Sequence, residues 1–296
     1  MHTRMRVIVN SRMGAVRMRK IKDALALHFI DEAPEICYTR YGGHARVLAR
    51  EAVQQQIPCI VAAGGDGTLN EVMQEMAYSS SVMGIIPTGS GNGLARHCGI
   101  PLDIQQAVAL LKEGKAMTID LGMANSVYFM SNAGIGFDAK VCYDIAESRY
   151  RGLKMYVIEV LRNYLRYKAE KYTLRVDGQV YEEKAFLINV ANGREFGYGF
   201  EIAPEASMQD GQLDMIVLRN GSPGAALRFI RDAVRKKTHQ NRDCLYLRAR
   251  DIQIVSENIP CFQTDGDAHI CDHHRIHFQI REKALNILVH ADIKTL

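Results

Sequence analysis

The stretch Ile60-Val61-Ala62-Ala63-Gly64-Gly65-Asp66-Gly67-Thr68-Leu69-Asn70-Glu71-Val72 decides the fold of this chain. It begins as an apolar strand, breaks at three glycines in four residues, and resumes with apolar residues at helical spacing. Glycine lets the backbone adopt positive φ and approach a ligand closely, because no Cβ intervenes. The helix that follows exposes N–H groups and the positive end of its dipole. Strand, glycine turn and helix together predict a cradle for a phosphate.

Asp66 lies inside this glycine turn and does not simply add to an anion site, because a bare carboxylate repels phosphate. It needs a bound Mg²⁺, a proton to accept, or a hydrogen-bond donor nearby. We therefore single out Asp66 as a candidate functional residue.

A second glycine cluster, Pro87-Thr88-Gly89-Ser90-Gly91-Asn92-Gly93, also follows a strand, which we predict over 82–86. Consecutive strands of such a sheet are usually neighbours, so both glycine turns should lie side by side at its carboxyl end, where open α/β sheets bind ligands. Ser90 is the expected cap of the short helix that follows. The P-loop motif is absent. Gly134 to Ala139 matches the loose G-x-G-x-x-A dinucleotide pattern, which we interpret as a chance match because no βαβ unit precedes it.

Composition sets broad limits on the function. The chain has 296 residues and a net charge of 37 − 33 = +4, which is too small to indicate a nucleic-acid partner but suits ATP or an anionic membrane surface. Apolar runs are shorter than the ~20 residues of a membrane span. Seven scattered cysteines are typical of reduced thiols, so we expect a cytoplasmic protein, peripheral at the inner face of the membrane if it binds lipid.

The pattern of elements predicts two domains. Strands and helices alternate to about Glu113, which favours a parallel sheet with helices on both faces. Short β-like runs then dominate and favour a mainly antiparallel β-sandwich. We predict an α/β domain over 1–121, a β-rich domain over 122–283, and a C-terminal segment over 284–296 that returns to the first domain. Within the β-rich part, Asp210-Gly211 predicts a hairpin turn and Thr264 to Asp267 a second turn.

These motifs together resemble the diacylglycerol kinase catalytic-domain family, which includes sphingosine and ceramide kinases and bacterial lipid kinases. The resemblance rests on the two glycine clusters, on Ala203-Pro204, and on Asp210-Gly211-Gln212-Leu213-Asp214. The first glycine turn is shared with NAD kinases, so the second-domain segments are the more specific part. Both families have the same arrangement of an α/β domain and a β-sandwich.

The resemblance implies an ATP- and Mg²⁺-dependent kinase that phosphorylates the hydroxyl of a lipid such as diacylglycerol or a sphingoid base, with ATP between the domains. It assigns ATP binding to Asn10, Thr39, Gly64, Gly65, Asp66, Gly67, Thr68, Asn70, Glu71, Ser90, Gly91 and Asn92. It assigns Mg²⁺ to Ser207, Asp210 and Gln212. Asp267 is the candidate general base and Asp66 the organiser of Mg²⁺ and phosphates, although these two roles could be exchanged.

Four questions stay open at this stage: the general base, the reaction, membrane contact and the oligomeric state. Asp267 stands where the family usually has Glu, and it is shorter by roughly 1.5 Å, one carbon–carbon bond. This departure suggests a nucleotide-binding sensor without catalysis as one alternative. The glycine turn shared with NAD kinases makes NAD kinase the enzymatic alternative. The basic run from Arg228 to Lys237 offers a surface for an anionic membrane. A homodimer is left open.

Overall fold

The structure is a computed structural model of the chain, and it describes residues 4–147, 153–197, 200–271 and 273–296. The chain divides into two compact units. The first comprises Met1–Asp120 together with Glu282–Leu296, and the second comprises Leu121–Arg281.

The first unit is a parallel sheet covered by helices. Its strands are β1 (Met5–Val9), β2 (Glu35–Tyr38), β3 (Cys59–Gly64) and β4 (Val82–Pro87). Its helices are α1 (Ala15–His28), α2 (His44–Gln54), α3 (Asp66–Met76), α4 (Gly93–His97) and α5 (Ile104–Glu113). The strand order is β2-β1-β3-β4, and every pair is parallel, with Val9 beside Ala63 and Ala63 beside Ile86. This order places the carboxyl ends of β3 and β4 next to each other.

Both faces of this sheet are buried. Val7 and Val9 pack with Ile21 and Leu25 of α1 and with Val108 of α5. Helices α2 and α3 pack together and cover the opposite face. Strand β3 is buried along its whole length, as the unbroken apolar run of the sequence indicates.

The second unit is built mainly from antiparallel strands. Two strands belong partly to each unit: β5 (Lys115–Ala124) and the long β18 (Arg275–Val289). The others are β6 (Val127–Phe129), β7 (Asn132–Gly136), β8 (Glu170–Val176), β9 (Gln179–Ala185), β10 (Leu187–Ala191), β11 (Glu195–Gly197), β12 (Phe200–Glu201), β13 (Leu213–Leu218), β14 (Cys244–Ala249), β15 (Asp251–Val255), β16 (Cys261–Thr264) and β17 (Asp267–Ile270). The helices are α6 (Phe137–Glu147), α7 (Leu153–Tyr164) and α8 (Pro223–Val234).

Two sheets of this unit enclose one core. One sheet has the order β14-β13-β10-β7-β16-β17, and the other brings β18, β15, β8 and β9 together. Ile135, Ile188 and Met215 of the first sheet share a buried cluster with Leu174 and Ile252 of the second. The fold is therefore an α/β domain with a parallel sheet plus an antiparallel β-sandwich, which confirms the predicted fold class.

Two local expectations were wrong. Asp210-Gly211 does not form a hairpin, because β12 and β13 on either side of it pair with other strands. The C-terminal segment expected from residue 284 does not begin as a separate element, because β18 (Arg275–Val289) continues through Lys283 at φ +50°.

Among the helices of the described ranges, none is long and apolar enough to cross a membrane.

Candidate active site

The first glycine turn connects the end of β3 to the start of α3. A Cβ on Gly64 would lie 2.5 Å from the Cβ of Thr68, so a side chain there would displace Thr68. Gly65 is the N-cap of α3, and no side chain caps this helix. At Gly64 and Gly65 the turn therefore presents only backbone, as a close approach by a ligand requires.

The second glycine turn touches the first. The Thr88 N–H donates to the Gly64 carbonyl at 2.9 Å, and a Cβ on Gly89 would lie 2.6 Å from the Gly65 Cα. The predicted side-by-side arrangement is confirmed. It depends on glycine in both turns, because any side chain at Gly89 would push the backbones apart.

Asn92 closes the second turn. The expectation that Ser90 caps the following helix was wrong. Asn92 is the N-cap of α4 in the left-handed conformation, at φ +51°. Its Oδ1 accepts from the Gly89 N–H at 2.8 Å, and its Nδ2 donates to the Gly89 carbonyl at 3.0 Å. Asn tolerates the left-handed region better than Ser, and its amide can both accept and donate. Ser90 is consequently left exposed, and Gly91 lies between the two.

Asp66 is the first residue of α3 and lies against the second turn. Burial raises the pKa of its carboxyl group, and the backbone N–H groups of Leu94, Asn92 and Gly93 oppose this by stabilising the carboxylate. Its Oδ1 is buried with no hydrogen-bond partner among the described residues. The donors that the sequence left unspecified are thus the N–H groups of α4, and one carboxylate oxygen stays available to a cation or a proton.

Asn10 and Thr39 support the first turn from neighbouring strands. Asn10 Nδ2 donates to Thr68 Oγ1 at 2.9 Å, which fixes the side chain that packs on Gly64. Thr39 is buried, and its Oγ1 accepts from the Ser11 N–H at 3.2 Å. These contacts place Asn10, Thr39 and Thr68 around the glycine turn, and their roles in ATP binding stay predictions.

Three further residues assigned to ATP lie on α3. Gly67 is exposed at the start of the helix. Asn70 is buried and its Oδ1 accepts from Gln74. The Glu71 carboxylate accepts from the Gly43 N–H at 2.9 Å and from the Ala45 N–H at 3.1 Å, so it caps the start of α2. Glu71 therefore links two helices beside the turn.

Arg17 was not identified from the sequence. It lies on α1, is exposed, and donates from Nη1 to the Thr88 carbonyl at 3.1 Å. A guanidinium beside two phosphate-type turns supplies the positive charge that a polyphosphate needs. The one available signal, a basic residue in the first turns of a helix that follows the first strand, is too common to select it.

In the second unit, residues 264–267 form the tight turn between β16 and β17, which we call the acidic hairpin. Asp265 and Gly266 have φ of +49° and +89°. Asp265 accepts from the N–H groups of Met130, Ser131 and Asn132 at 2.8, 2.8 and 3.2 Å, so its carboxylate is structural. Asp267, the candidate base, is exposed at the start of β17.

The residues assigned to Mg²⁺ lie in the loop before β13. Ser207 Oγ accepts from the Gln209 N–H at 3.3 Å, and Asp210 Oδ1 accepts from the Gln212 N–H at 3.0 Å. Asp210 Oδ2 is paired with Arg248. The described ranges contain no cluster of three His, Cys, Asp or Glu side chains suited to a metal ion.

Asp214 adds a second carboxylate beside Asp210. It is fully buried, accepts from Tyr246 Oη at 2.7 Å, and lies 3.5 Å from Arg248 Nε. Burial raises its pKa to about 6, although the hydrogen bond from Tyr246 and the charge of Arg248 act in the opposite direction. Its Oδ2 has no hydrogen-bond partner among the described residues. Two carboxylates against one guanidinium leave this corner with an excess of negative charge.

Comparison with known proteins agrees with this arrangement. Residues 4–124 match the diacylglycerol kinase catalytic domain, and residues 131–289 match the YegS C-terminal NAD kinase beta sandwich-like domain. A diacylglycerol kinase of Bacillus subtilis (strain 168) is 30% identical over 77% of each chain. A probable YegS-like lipid kinase of Pseudomonas putida is 29% identical, over 86% of this chain and 84% of its own. A solved Bacillus anthracis str. Sterne protein, provisionally named diacylglycerol kinase, shares the fold with a TM-score of 0.79, 24% identity and 98% coverage of both chains.

The family matches and the relatives' names, together with the paired glycine turns, identify a phosphotransferase with an alcohol group as acceptor. The chain belongs to the family of diacylglycerol kinases and YegS-like lipid kinases. This confirms the family resemblance and the predicted enzyme class, and kinases of this kind use ATP as co-substrate.

Proposed function

We propose that this protein is an ATP- and Mg²⁺-dependent lipid kinase that transfers the γ-phosphoryl group to the hydroxyl of diacylglycerol, a sphingoid base or a related lipid. The observation that carries the proposal is the contact between the two glycine turns, with the Asp66 carboxylate beside them. The names of the relatives support a lipid as acceptor.

In this reaction the acceptor oxygen bonds to the γ-phosphorus while the bond to the bridging oxygen of ADP breaks. The protein contributes mainly position and charge. Backbone N–H groups of the glycine turns and the Arg17 guanidinium would bind phosphate oxygens. Asp267 would accept the hydroxyl proton as the new bond forms. Asp66 would organise Mg²⁺ and, through it, the phosphates of ATP.

The chain offers oxygen donors for Mg²⁺ at two places. Asp66 Oδ1 is a buried carboxylate oxygen without a hydrogen-bond partner among the described residues, and Asp214 Oδ2 near Asp210 is another. Oxygen-only donors and surplus negative charge fit Mg²⁺. Asp66 would hold an ion that reaches the phosphates, and Ser207, Asp210 and Gln212 would hold a structural one. When bound, Mg²⁺ supplies charge neutralisation for the phosphates.

A transfer assay with γ-labelled ATP tests the proposal. Diacylglycerol, sphingosine, other lipid alcohols and NAD are offered in parallel, each with Mg²⁺ and with a chelator. We expect labelled lipid with Mg²⁺ only. The NAD arm is included because NAD kinases share the first glycine turn.

Two results would overturn the proposal. Product from NAD alone identifies an NAD kinase. ATP binding that is accompanied by transfer to no acceptor identifies a nucleotide-binding sensor.

We further propose that α8 holds the protein at an anionic membrane surface. Leu227, Ile230 and Val234 are 69%, 50% and 59% exposed, and their spacing places them on one side of the helix. Ala225 and Ala233 are buried on the opposite side. An exposed apolar stripe on a helix with basic residues is typical of helices that lie in the membrane interface.

More basic residues of α8 and of the segment just after it form ion pairs than the sequence indicated. Arg228 pairs with Asp243 at 2.7 Å, Arg231 with Asp232 at 2.8 Å, and Lys236 with Glu201 at 2.6 Å. Paired cations attract an anionic surface less. We therefore expect the apolar stripe to contribute more to binding than the basic residues.

Cosedimentation with anionic vesicles measures these contributions. Changing Leu227, Ile230 and Val234 to Ser should weaken binding more than reversing Arg231, Arg235 and Lys236 to Glu. Activity on vesicle-borne lipid should fall, and activity on detergent-dispersed lipid should persist. The matched control changes Val16, Leu27 and Ile30 of the first unit to Ser, since these side chains are at least as exposed, at 73%, 63% and 80%. Equal loss in control and test variants, or unchanged vesicle binding, would exclude α8 as the docking surface.

A further inference from the structure

A buried polar cluster lies directly behind the acidic hairpin. It consists of Asn132 on β7, Asp138 at the start of α6, Asn189 on β10 and Gln263 on β16, and each is at most 6% exposed. Four polar side chains beside a core of mainly apolar residues are costly unless they are connected by hydrogen bonds. Their connections therefore indicate what the cluster does.

Gln263 is the centre of the cluster. Its Nε2 donates to Asn132 Oδ1 at 2.9 Å and to Asp138 Oδ2 at 3.3 Å. Its Oε1 accepts from the Gly266 N–H at 2.9 Å. One side chain thus connects the buried Asp138 carboxyl group to the backbone of the acidic hairpin, one residue before Asp267.

The surrounding backbone makes room for Asp138. A Cβ on Gly134 would lie 2.2 Å from Asp138 Oδ2, so only glycine fits there. The Ala139 N–H donates to Asp138 Oδ1 at 2.8 Å. This explains why Gly134 to Ala139 resembles a dinucleotide motif: its first glycine accommodates a carboxyl group of the same chain.

The hairpin is held from two directions. Asp265 fixes it to the turn before β7, and Gln263 fixes it to Asp138. Burial raises the pKa of Asp138 to about 7, and hydrogen bonds from Gln263, the Ala139 N–H and Asn189 oppose the shift. A carboxyl group that is so strongly desolvated is retained here only with the support of these donors.

We propose that Asp138 and Gln263 form a buried pair that fixes the position of the acidic hairpin, and that both are positioning residues for the phosphoryl transfer. The inference rests on the proposed function in one respect, because it takes Asp267 as the group that the hairpin presents. It goes beyond that function by assigning a role to α6 and to two side chains that touch no substrate.

Amide hydrogen exchange at Gly266 tests the pair independently of activity. Gln263→Met removes the acceptor of the Gly266 N–H, so its exchange should accelerate on the order of tenfold, as for the loss of one hydrogen bond. Asp138→Leu removes one of the two acceptors that orient the Gln263 amide and should accelerate exchange at the same N–H. If Asp138→Leu does not fold, the single variant Asp138→Asn takes its place in the comparison with Gln263→Met.

Steady-state kinetics supply the second measurement. Displacement of the hairpin should lower kcat by about 10²-fold and leave the KM for ATP near the wild-type value. The variant that carries both Asp138→Leu and Gln263→Met should have a kcat no lower than that of Gln263→Met alone, because both changes break the same connection to the hairpin. Thr238→Val is the matched control, since it removes a different buried hydrogen bond, to the Ile202 carbonyl at 2.7 Å, and should leave kcat unchanged.

The outcomes separate the two proposals. Unchanged Gly266 exchange in Asp138→Leu, or fully additive losses of kcat, would overturn the positioning role. A wild-type protein that transfers phosphate to no lipid would overturn the proposed function, and the exchange measurement would still decide whether the pair holds the hairpin.

Discussion

The glycine turns of the first unit and the acidic hairpin of the second unit are built in opposite ways. The glycine turns are shaped by missing side chains: Gly64, Gly65 and Gly89 lie where a Cβ would meet Thr68 or the facing backbone. The hairpin is shaped by side chains that reach it from far along the sequence, because Asp265 binds residues 130–132 and Gln263 connects to Asp138.

This difference predicts which kind of substitution disrupts each region. The glycine turns should be sensitive to added volume, because their backbones are already in contact. The hairpin should be sensitive to lost hydrogen bonds, because its position depends on a few buried donors and acceptors. The following changes test this comparison, beginning with the largest expected effect.

Asp66→Asn removes the one carboxylate in the glycine turns without adding volume. We expect kcat to fall on the order of 10²-fold or more, because the charge that organises the donor site is lost. Melting temperature and circular dichroism should match those of the wild type. Asp103→Asn, at the exposed N-cap of α5, is the control and should retain activity. Near-normal turnover in folded Asp66→Asn would remove this residue from the mechanism.

Gly64→Ala adds one methyl group where Thr68 leaves no room. The Thr68 side chain must move, so we expect ATP to bind about tenfold more weakly and the protein to lose about 1–3 kcal/mol of stability. Calorimetric titration and thermal unfolding measure the two effects. Gly42→Ala is the control, since a Cβ there meets nothing within 4 Å. Equal effects at both positions would show that crowding against Thr68 is not the cause.

Arg17→Ala removes the cation beside Thr88. We expect the KM for ATP to rise about three- to tenfold while kcat changes little, because one charge-assisted contact to a phosphate is lost. Arg19→Ala is the comparison, because its contact with Asp23 is a fully exposed pair at 3.8 Å. An unchanged KM for ATP in Arg17→Ala would place Arg17 outside the site.

Asp138 should contribute a pH dependence of stability. Its folded-state pKa of about 7 lies above the ordinary value of 3.8, so between these values the native state holds a proton that the unfolded state has released. The free energy of unfolding should therefore decrease as the pH rises from 3.8 to about 7. Denaturant titrations should show a shallower decrease in Asp138→Asn, with the contribution of Asp214 remaining. An identical slope in both proteins would contradict the raised pKa.

Local sequence patterns were sufficient to predict much of the structure of the first unit. The apolar run before Gly64 and the helical spacing after Asp66 predicted β3 and α3, and the rule that consecutive strands are neighbours predicted contact between the glycine turns. The same reasoning failed at Ser90, because a cap also depends on which residue can adopt positive φ, and Asn92 does so. It failed at Asp210 because the strands on either side of that turn, β12 and β13, pair with other strands and not with each other.

The sequence by itself determined the class of fold, the glycine turns and the family, because these depend on residues close together in the chain, where spacing reflects backbone geometry. Only the tertiary structure revealed that Glu71 caps α2, that Arg17 reaches Thr88, and that Asp138 reaches the acidic hairpin through Gln263. Asp138 and Gln263 are 125 residues apart. A hydrogen bond between such positions depends on angles and distances of a few tenths of an ångström, which are set only when the sheets pack and exclude water.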